Sequence, residues 1–235
     1  AMNAPLTLVP MKNMRHDLAS IVKVVDQSTA MICLDIPCNP TGTIVTRGQM
    51  ETFLKRVPEE VLIVLDQAYF EYAGSDRKYP DGLELRKHHS NLVVTRTFSK
   101  AYGLAGLRIG YAVANPGLIS DLDRVRPPFN TSRMAQMAAR AALDDRAYLS
   151  RCIQANRRGM EQLGKGFTRL GLKFWPSHAN FILVDVGRSC IDVGEALLCM
   201  GVVTRPMAGL GLKSCLRISI GRATENRRCL TALQE

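Results

Sequence analysis

The chain has 235 residues, with 31 Lys and Arg against 21 Asp and Glu, a formal charge of +10. Apolar residues make up 46% and charged residues 22%, which excludes a disordered chain and leaves ample material for a buried core. The longest aliphatic run, Val61 to Leu65, is far too short to cross a bilayer, and residues 1–5 lack the basic-then-apolar pattern of a secretory leader.

In chain order, Met31 to Ile36 reads as a buried strand running into Pro37-Cys38-Asn39-Pro40-Thr41-Gly42, a segment dense in turn formers. Gln49 to Arg56 has helical spacing. Val61 to Leu65 is a second continuous apolar run and stops at Asp66. Leu92 to Val94 is a third, leading into Thr95-Arg96-Thr97-Phe98-Ser99-Lys100, and Ile109 to Val113 is a fourth after a bend with Gly103 and Gly106. Continuous apolar strands separated by helical segments predict a parallel sheet covered on both faces. From Arg133 to about Leu170 one long helical stretch is expected. Lys173 to Trp175, Phe181 to Val184, Val202 to Thr204 and Leu216 to Ile220 then read as strands, with helices at Ile191 to Met200 and Thr224 to Leu233. The expected architecture is α/β. A large domain built on a mostly parallel sheet occupies residues 1–130, and a linking helix with a smaller α/β domain occupies residues 131–235.

Seven cysteines without C-x-x-C spacing argue for reduced thiols in a cytoplasmic protein and for no metal site. The basic residues fall in short groups such as Arg86-Lys87, Arg157-Arg158 and Arg227-Arg228, and aromatics are only 6%. Neither nucleic acid nor a membrane is therefore an expected partner, and arginines aimed at small anions fit the charge better.

Ligands of open α/β sheets bind beyond the carboxyl ends of the strands. The polar residues that follow the apolar runs are Asn39, Asp66 with Tyr69, and Ser99-Lys100, with Arg108 close behind. Singly these read as a turn, a helix cap, a solvated lysine and an ion-pair partner. Together they match one cofactor. A lysine among Phe98, Ala101, Leu104 and Ala105 is placed for desolvation, which makes an amine nucleophilic. A carboxylate would keep a pyridine nitrogen protonated, hydroxyls and an arginine would bind a phosphate, and an amide and a phenol would reach a phenolate oxygen. Those are the needs of pyridoxal phosphate.

On these residues the chain resembles the fold type I pyridoxal-phosphate-dependent aminotransferases, and within them the histidinol-phosphate aminotransferase group. The resemblance is carried by Asn39 to Thr43, Asp66 to Tyr69, Thr97 to Tyr111, Pro128-Phe129-Asn130, Val203 to Pro206 and Leu216 to Gly221, and it runs from about residue 7 to the C-terminus. It implies that Lys100 joins the cofactor covalently and moves the Cα proton, while Asp66 pairs with the pyridine nitrogen. It also implies that Asn39 and Tyr69 contact the phenolic oxygen, and that Thr97, Ser99 and Arg108 bind the phosphate. Arg217, with Arg205 beside it, would take the acidic end of the substrate. The implied reaction moves the amino group of L-histidinol phosphate to 2-oxoglutarate, giving imidazole acetol phosphate and glutamate, in a cytoplasmic homodimer. Threonine-phosphate decarboxylation and aromatic amino-acid transamination use similar motifs and are the alternatives.

Cys38 and Gln67 depart from the group's usual Asn and Glu, and Gly221 to Asn226 alter a typical Thr and acidic position. The group also has an earlier glycine-bearing turn that opens a phosphate-binding helix, whereas residues 1–30 contain no glycine. The expectation is a chain that enters the family pattern midway, with an incomplete large domain and, as a further alternative, an inactive fragment.

Overall fold

The computed structural model describes residues 4–235, so part of the leader reading of residues 1–5 lies outside the described residues. Helix α1 (Leu18–Val24) precedes strand β1 (Met31–Asp35), and α2 (Arg47–Leu54) leads to β2 (Leu62–Asp66). The short α3 (Phe70–Ala73) and α4 (Gly82–Arg86) lead to β3 (Leu92–Thr97), followed by β4 (Gly110–Val113). These strands form one sheet in the order β1-β2-β3-β4. Its core packs Leu18 and Ile21 of α1 and Met50, Phe53 and Leu54 of α2 against Leu34, Ile63 and Leu65. Asp17 and Thr46 cap the two helices by accepting the backbone N–H groups of Ser20 and Gln49.

The sheet is mostly parallel, as expected, and departs from a wholly parallel, doubly covered one in two features. β1, β2 and β3 are parallel, but β4 runs antiparallel to β3. The β3–β4 connection holds only a bend and one 3-10 turn at Ala105–Leu107, too little for a crossover. The second face is also partly open, since Met31 and Cys33 of β1 and Tyr111 of β4 are exposed.

α5 (Pro116–Val125) begins where Asn115 accepts the N–H of Leu118 and Pro116 occupies the first turn. The expected single helix is in fact two, α6 (Arg133–Asp144) and α7 (Arg146–Arg169). Asp145 leaves helical geometry and its carboxylate accepts the Tyr148 N–H at 2.8 Å, which ends one helix and caps the next.

β5 (Lys173–Phe174), β6 (Phe181–Asp185), α8 (Cys190–Cys199), β7 (Arg205–Pro206), β8 (Cys215–Ser219) and α9 (Ala223–Ala232) complete the chain. Their sheet is wholly antiparallel, in the order β5-β6-β8-β7. Leu163 and Phe167 of α7 pack with Ile182, Val184, Leu197 and Leu216 beneath it. The strand expected at Val202 to Thr204 lies instead at Arg205–Pro206. The Val202 N–H is engaged at 2.8 Å by the Leu197 carbonyl at the end of α8, so pairing with β8 starts later.

The two sheets are joined at the turn after β1. Gly42 has φ +72°, its carbonyl accepts the His178 N–H at 2.7 Å, and a Cβ there would lie 2.0 Å from Ser177 Oγ. The backbone of Ser177 is also near that position, so the clash is not relieved by one rotamer. Gly42→Ala is expected to cost about 2–4 kcal/mol through overpacking and left-handed strain, read as a lower urea midpoint.

Candidate cofactor and substrate site

Parallel pairing brings the carboxyl ends of β2 and β3 together, with Asp66 in register with Thr95. Beyond them opens a cleft of about 370 Å³ lined by Asp66, Thr97, Ser99, Lys100, Arg108 and Gly110 among others. Asp66 accepts the Ala68 N–H at 2.9 Å. Partial burial holds its carboxyl above the ordinary value against that bond, and Asp35, its register partner on β1, adds like-sign repulsion.

The β3 end supplies the opposite chemistry. Thr97 Oγ1 accepts the Ser99 N–H at 3.1 Å. Arg108 sits in left-handed backbone geometry, φ +51°, which turns its side chain back so that Nη1 donates to Ser99 Oγ at 3.3 Å and to the Ala105 carbonyl at 2.9 Å. Two hydroxyls and a guanidinium thus converge on one side of the cleft, a set suited to an anion. Lys100 Nζ lies 5.2 Å from the centroid of the Tyr69 ring. The expected desolvation is incomplete. Phe98 and Ala101 are buried beside it, but Lys100 is half-exposed and Ala105 is on the surface.

Tyr69 is buried edge-on against Phe181 of β6, with ring centroids 5.3 Å apart. Phe181 also faces Arg217, whose Cζ stands 4.9 Å from its centroid. Arg217 Nη1 donates to Asn39 Oδ1 at 2.6 Å, although 178 positions separate them in the chain. Its Nε is buried without a hydrogen-bond partner among the described residues. Burial disfavours its charge, and Arg205, opposite it in the β7–β8 register, repels it further. An anion would answer both. Asp66, Thr97, Ser99, Lys100 and Arg108 therefore share one cleft, Tyr69 borders it, and Asn39 meets Arg217 beside it. Arg205 is exposed, one strand further out.

Sequence reasoning assigned no role to two groups. Asp35 ends β1 as Asp66 ends β2, and its Oδ2 accepts the Asn39 N–H at 2.7 Å. The apolar run ending at Asp35 carried that signal. The second group is the post under Asp66. Gln67, which differs from the Glu usual in the resembled group, is fully buried. It donates to the Pro80 carbonyl and accepts from the Gly82 N–H and from Arg96, whose guanidinium lies 3.3 Å over the Phe70 ring and pairs with Asp81. Gln67→Ala strands these groups and is expected to cost about 2–4 kcal/mol, measurable by thermal unfolding. A larger cavity of about 690 Å³, between α1, α2 and the Lys12 to His16 segment, holds none of the sequence-predicted site residues.

A family model described as aminotransferase class I and II matches residues 2–233. The chain belongs to the class I and II aminotransferase family. As a member of that family it is 46% identical over 232 residues to histidinol-phosphate aminotransferase of Halalkalibacterium halodurans, covering 99% of this chain and 63% of that protein. It is 50% identical over 218 residues to histidinol-phosphate aminotransferase 2 of Pseudomonas aeruginosa, covering 93% and 59%. The crystal structure of histidinol-phosphate aminotransferase from Sinorhizobium meliloti in complex with pyridoxal-5'-phosphate superposes with a TM-score of 0.86 at 33% identity, covering 97% of this chain and 63% of that one. This family member thus spans 63% and 59% of the lengths of the two curated relatives.

Proposed function

We propose that this chain holds pyridoxal 5'-phosphate and belongs to an aminotransferase that carries the amino group of L-histidinol phosphate to 2-oxoglutarate. The observation that carries the reading is the meeting of Lys100, Asp66 and the Thr97–Ser99–Arg108 set in one cleft. This donor set fits the cofactor. It offers a primary amine for the aldehyde, a carboxylate for the ring nitrogen and hydroxyls with a guanidinium for the phosphate. When bound, the cofactor supplies an electron sink that makes the Cα–H of an amino substrate acidic.

The chain's own groups do the rest. Asp66 would hold a proton on the ring nitrogen, and Asn39 and Tyr69 would serve the phenolic oxygen. Lys100 Nζ would hold the cofactor and, when free, would serve as the base for the Cα proton. Arg217, whose Nε has no partner among the described residues, would receive the anionic end of the substrate and give up its bond to Asn39 in doing so. Arg205 adds positive charge to that end. The same reading places the boundary between the cofactor domain and the linking helix with its small domain at residues 130 and 131. It also has the protein work as a cytoplasmic homodimer. No helix among the described residues is long and apolar enough to cross a membrane.

Pyridoxal phosphate followed by borohydride should leave a pyridoxyl adduct on Lys100, mapped by mass spectrometry. Labelling spread evenly over surface lysines defeats the reading. Glutamate formed from histidinol phosphate and 2-oxoglutarate supports the substrate, whereas carbon dioxide released from threonine phosphate without glutamate points to decarboxylation instead.

A further inference from the structure

One cluster of reactive side chains is left unused by the proposed transamination. His16 Nε2 lies 2.8 Å from Asp35 Oδ1 and 3.0 Å from the Asp35 carbonyl. The buried Cys38 completes the group, and one donor atom each from His16, Asp35 and Cys38 lie within 4.8 Å of one another. The three come from separate places in the fold: the segment before α1, the end of β1 and the turn that follows it. That turn is firmly held. The Cys38 N–H donates to the Thr43 carbonyl at 2.8 Å, the Gly42 N–H to the Cys38 carbonyl at 2.6 Å, and the Asn39 N–H to Asp35 Oδ2 at 2.7 Å.

We propose that His16, Asp35 and Cys38 form a site for a thiophilic divalent cation of the zinc class, with water or Met11 as a fourth donor. One imidazole nitrogen, one carboxylate oxygen and one sulfur make a mixed donor set of the kind such ions take, whereas magnesium and calcium require oxygen alone. Zinc bonds of about 2.0–2.3 Å put the donors of a tetrahedron about 3.3–3.8 Å apart, so the His16–Asp35 pair, now at 2.8 Å, must open by about half an ångström while all three donors already lie within 4.8 Å of one another. Met11 Sδ, 3.9 Å from Cys38 Sγ, adds a second soft atom at the edge. Of the three, His16 lines the cavity of about 690 Å³, so an ion would approach from the imidazole side. Binding exchanges the present His16–Asp35 contact for two bonds to a shared cation and displaces protons from nitrogen and sulfur. No C-x-x-C or H-x-x-x-H spacing announces this site, because the fold and not a local repeat assembles it. Its test needs no pyridoxal phosphate, although Asp35 also holds the Asn39 N–H.

The test is a titration of the whole chain with cobalt(II), under reducing conditions and without cofactor. The expected result is one bound ion with a near-ultraviolet thiolate-to-cobalt absorption band that zinc displaces. Cys38→Ala should remove the band. His16→Gln keeps a donor toward Asp35 and leaves the thiol in place, so it tests the site without disturbing the turn. It should weaken binding by more than the about 10- to 100-fold typical of losing an outer partner. A double variant Cys33→Ser/Cys199→Ser, at the two exposed cysteines, should keep the band. A folded chain that binds no cobalt, a band that survives Cys38→Ala, or one that disappears in the double variant overturns the site.

Discussion

Lys100→Ala is expected to abolish the borohydride-fixed pyridoxyl adduct and to lower any transamination rate by about ten-thousand-fold or more. Among the described residues Lys100 is the one lysine lining the cleft beyond β2 and β3, so none of the other described lysines is placed to replace it. It is asked to do two things, to hold the cofactor and to move the Cα proton, and groups acting as a unit lose most of their effect when one is removed. The fold should not respond. Lys100 is half-exposed, and its carbonyl, which accepts the Gly103 N–H at 2.9 Å, is unchanged by the substitution. Circular dichroism and the unfolding midpoint should therefore match those of the parent chain. Lys100→Arg separates charge from chemistry. It keeps a cation near Tyr69 but cannot condense with an aldehyde at neutral pH, so it should fail as completely as alanine. An adduct of parent yield in Lys100→Ala, mapped to another lysine, would move the site elsewhere.

The strands of the first sheet were legible because buried parallel strands are apolar throughout, and Val61 to Leu65 nearly coincides with β2. Strand direction is a different matter, since the composition of Ile109 to Val113 says nothing about which way the chain runs. The signal was the short connection from Thr97 to Gly110, which permits a return but no crossover. The helix break is similar. Apolar periodicity passes through Asp144 and Asp145, and only the capping geometry of Asp145 divides α6 from α7. Val202 to Thr204 has strand-like composition, yet its first N–H is taken by the end of α8.

At the site, the residues that sequence order and strand-end logic could reach are Asp66, Thr97, Ser99, Lys100 and Arg108, all close to β2 and β3. Contacts made by the second sheet were not readable. Nothing in the composition places Arg217 against Asn39, or Phe181 between Tyr69 and Arg217. Gly42 permits that meeting, because any side chain there would push Ser177, and the loop leading to β6, away from the turn that carries Asn39. Cys38 looked like a mild departure from a family pattern, and Asp35 like the tail of a strand. Their relation to His16 exists only once β1 and the segment before α1 are laid side by side.

Asp66→Asn should separate stability from activity in opposite directions. The amide is the same size as the carboxylate and can still accept the Ala68 N–H, so the turn after β2 keeps its geometry. In the parent chain partial burial and the Asp35 carboxylate make the Asp66 charge costly, as its raised proton affinity records. Removing that charge should leave the unfolding midpoint equal or higher. A protonated ring nitrogen, by contrast, needs a full negative charge beside it, and an amide cannot hold that proton. Loss of such a preorganised electrostatic partner typically lowers a rate by about 100- to 1,000-fold. The pyridoxyl adduct on Lys100 should persist, because the amine and the phosphate-binding set are intact. That pattern, adduct retained, rate lost and stability not lowered, distinguishes a carboxylate that acts on the cofactor from one that merely caps a turn. A capping role alone predicts little change in rate, and a lower midpoint wherever the amide caps less well than the carboxylate.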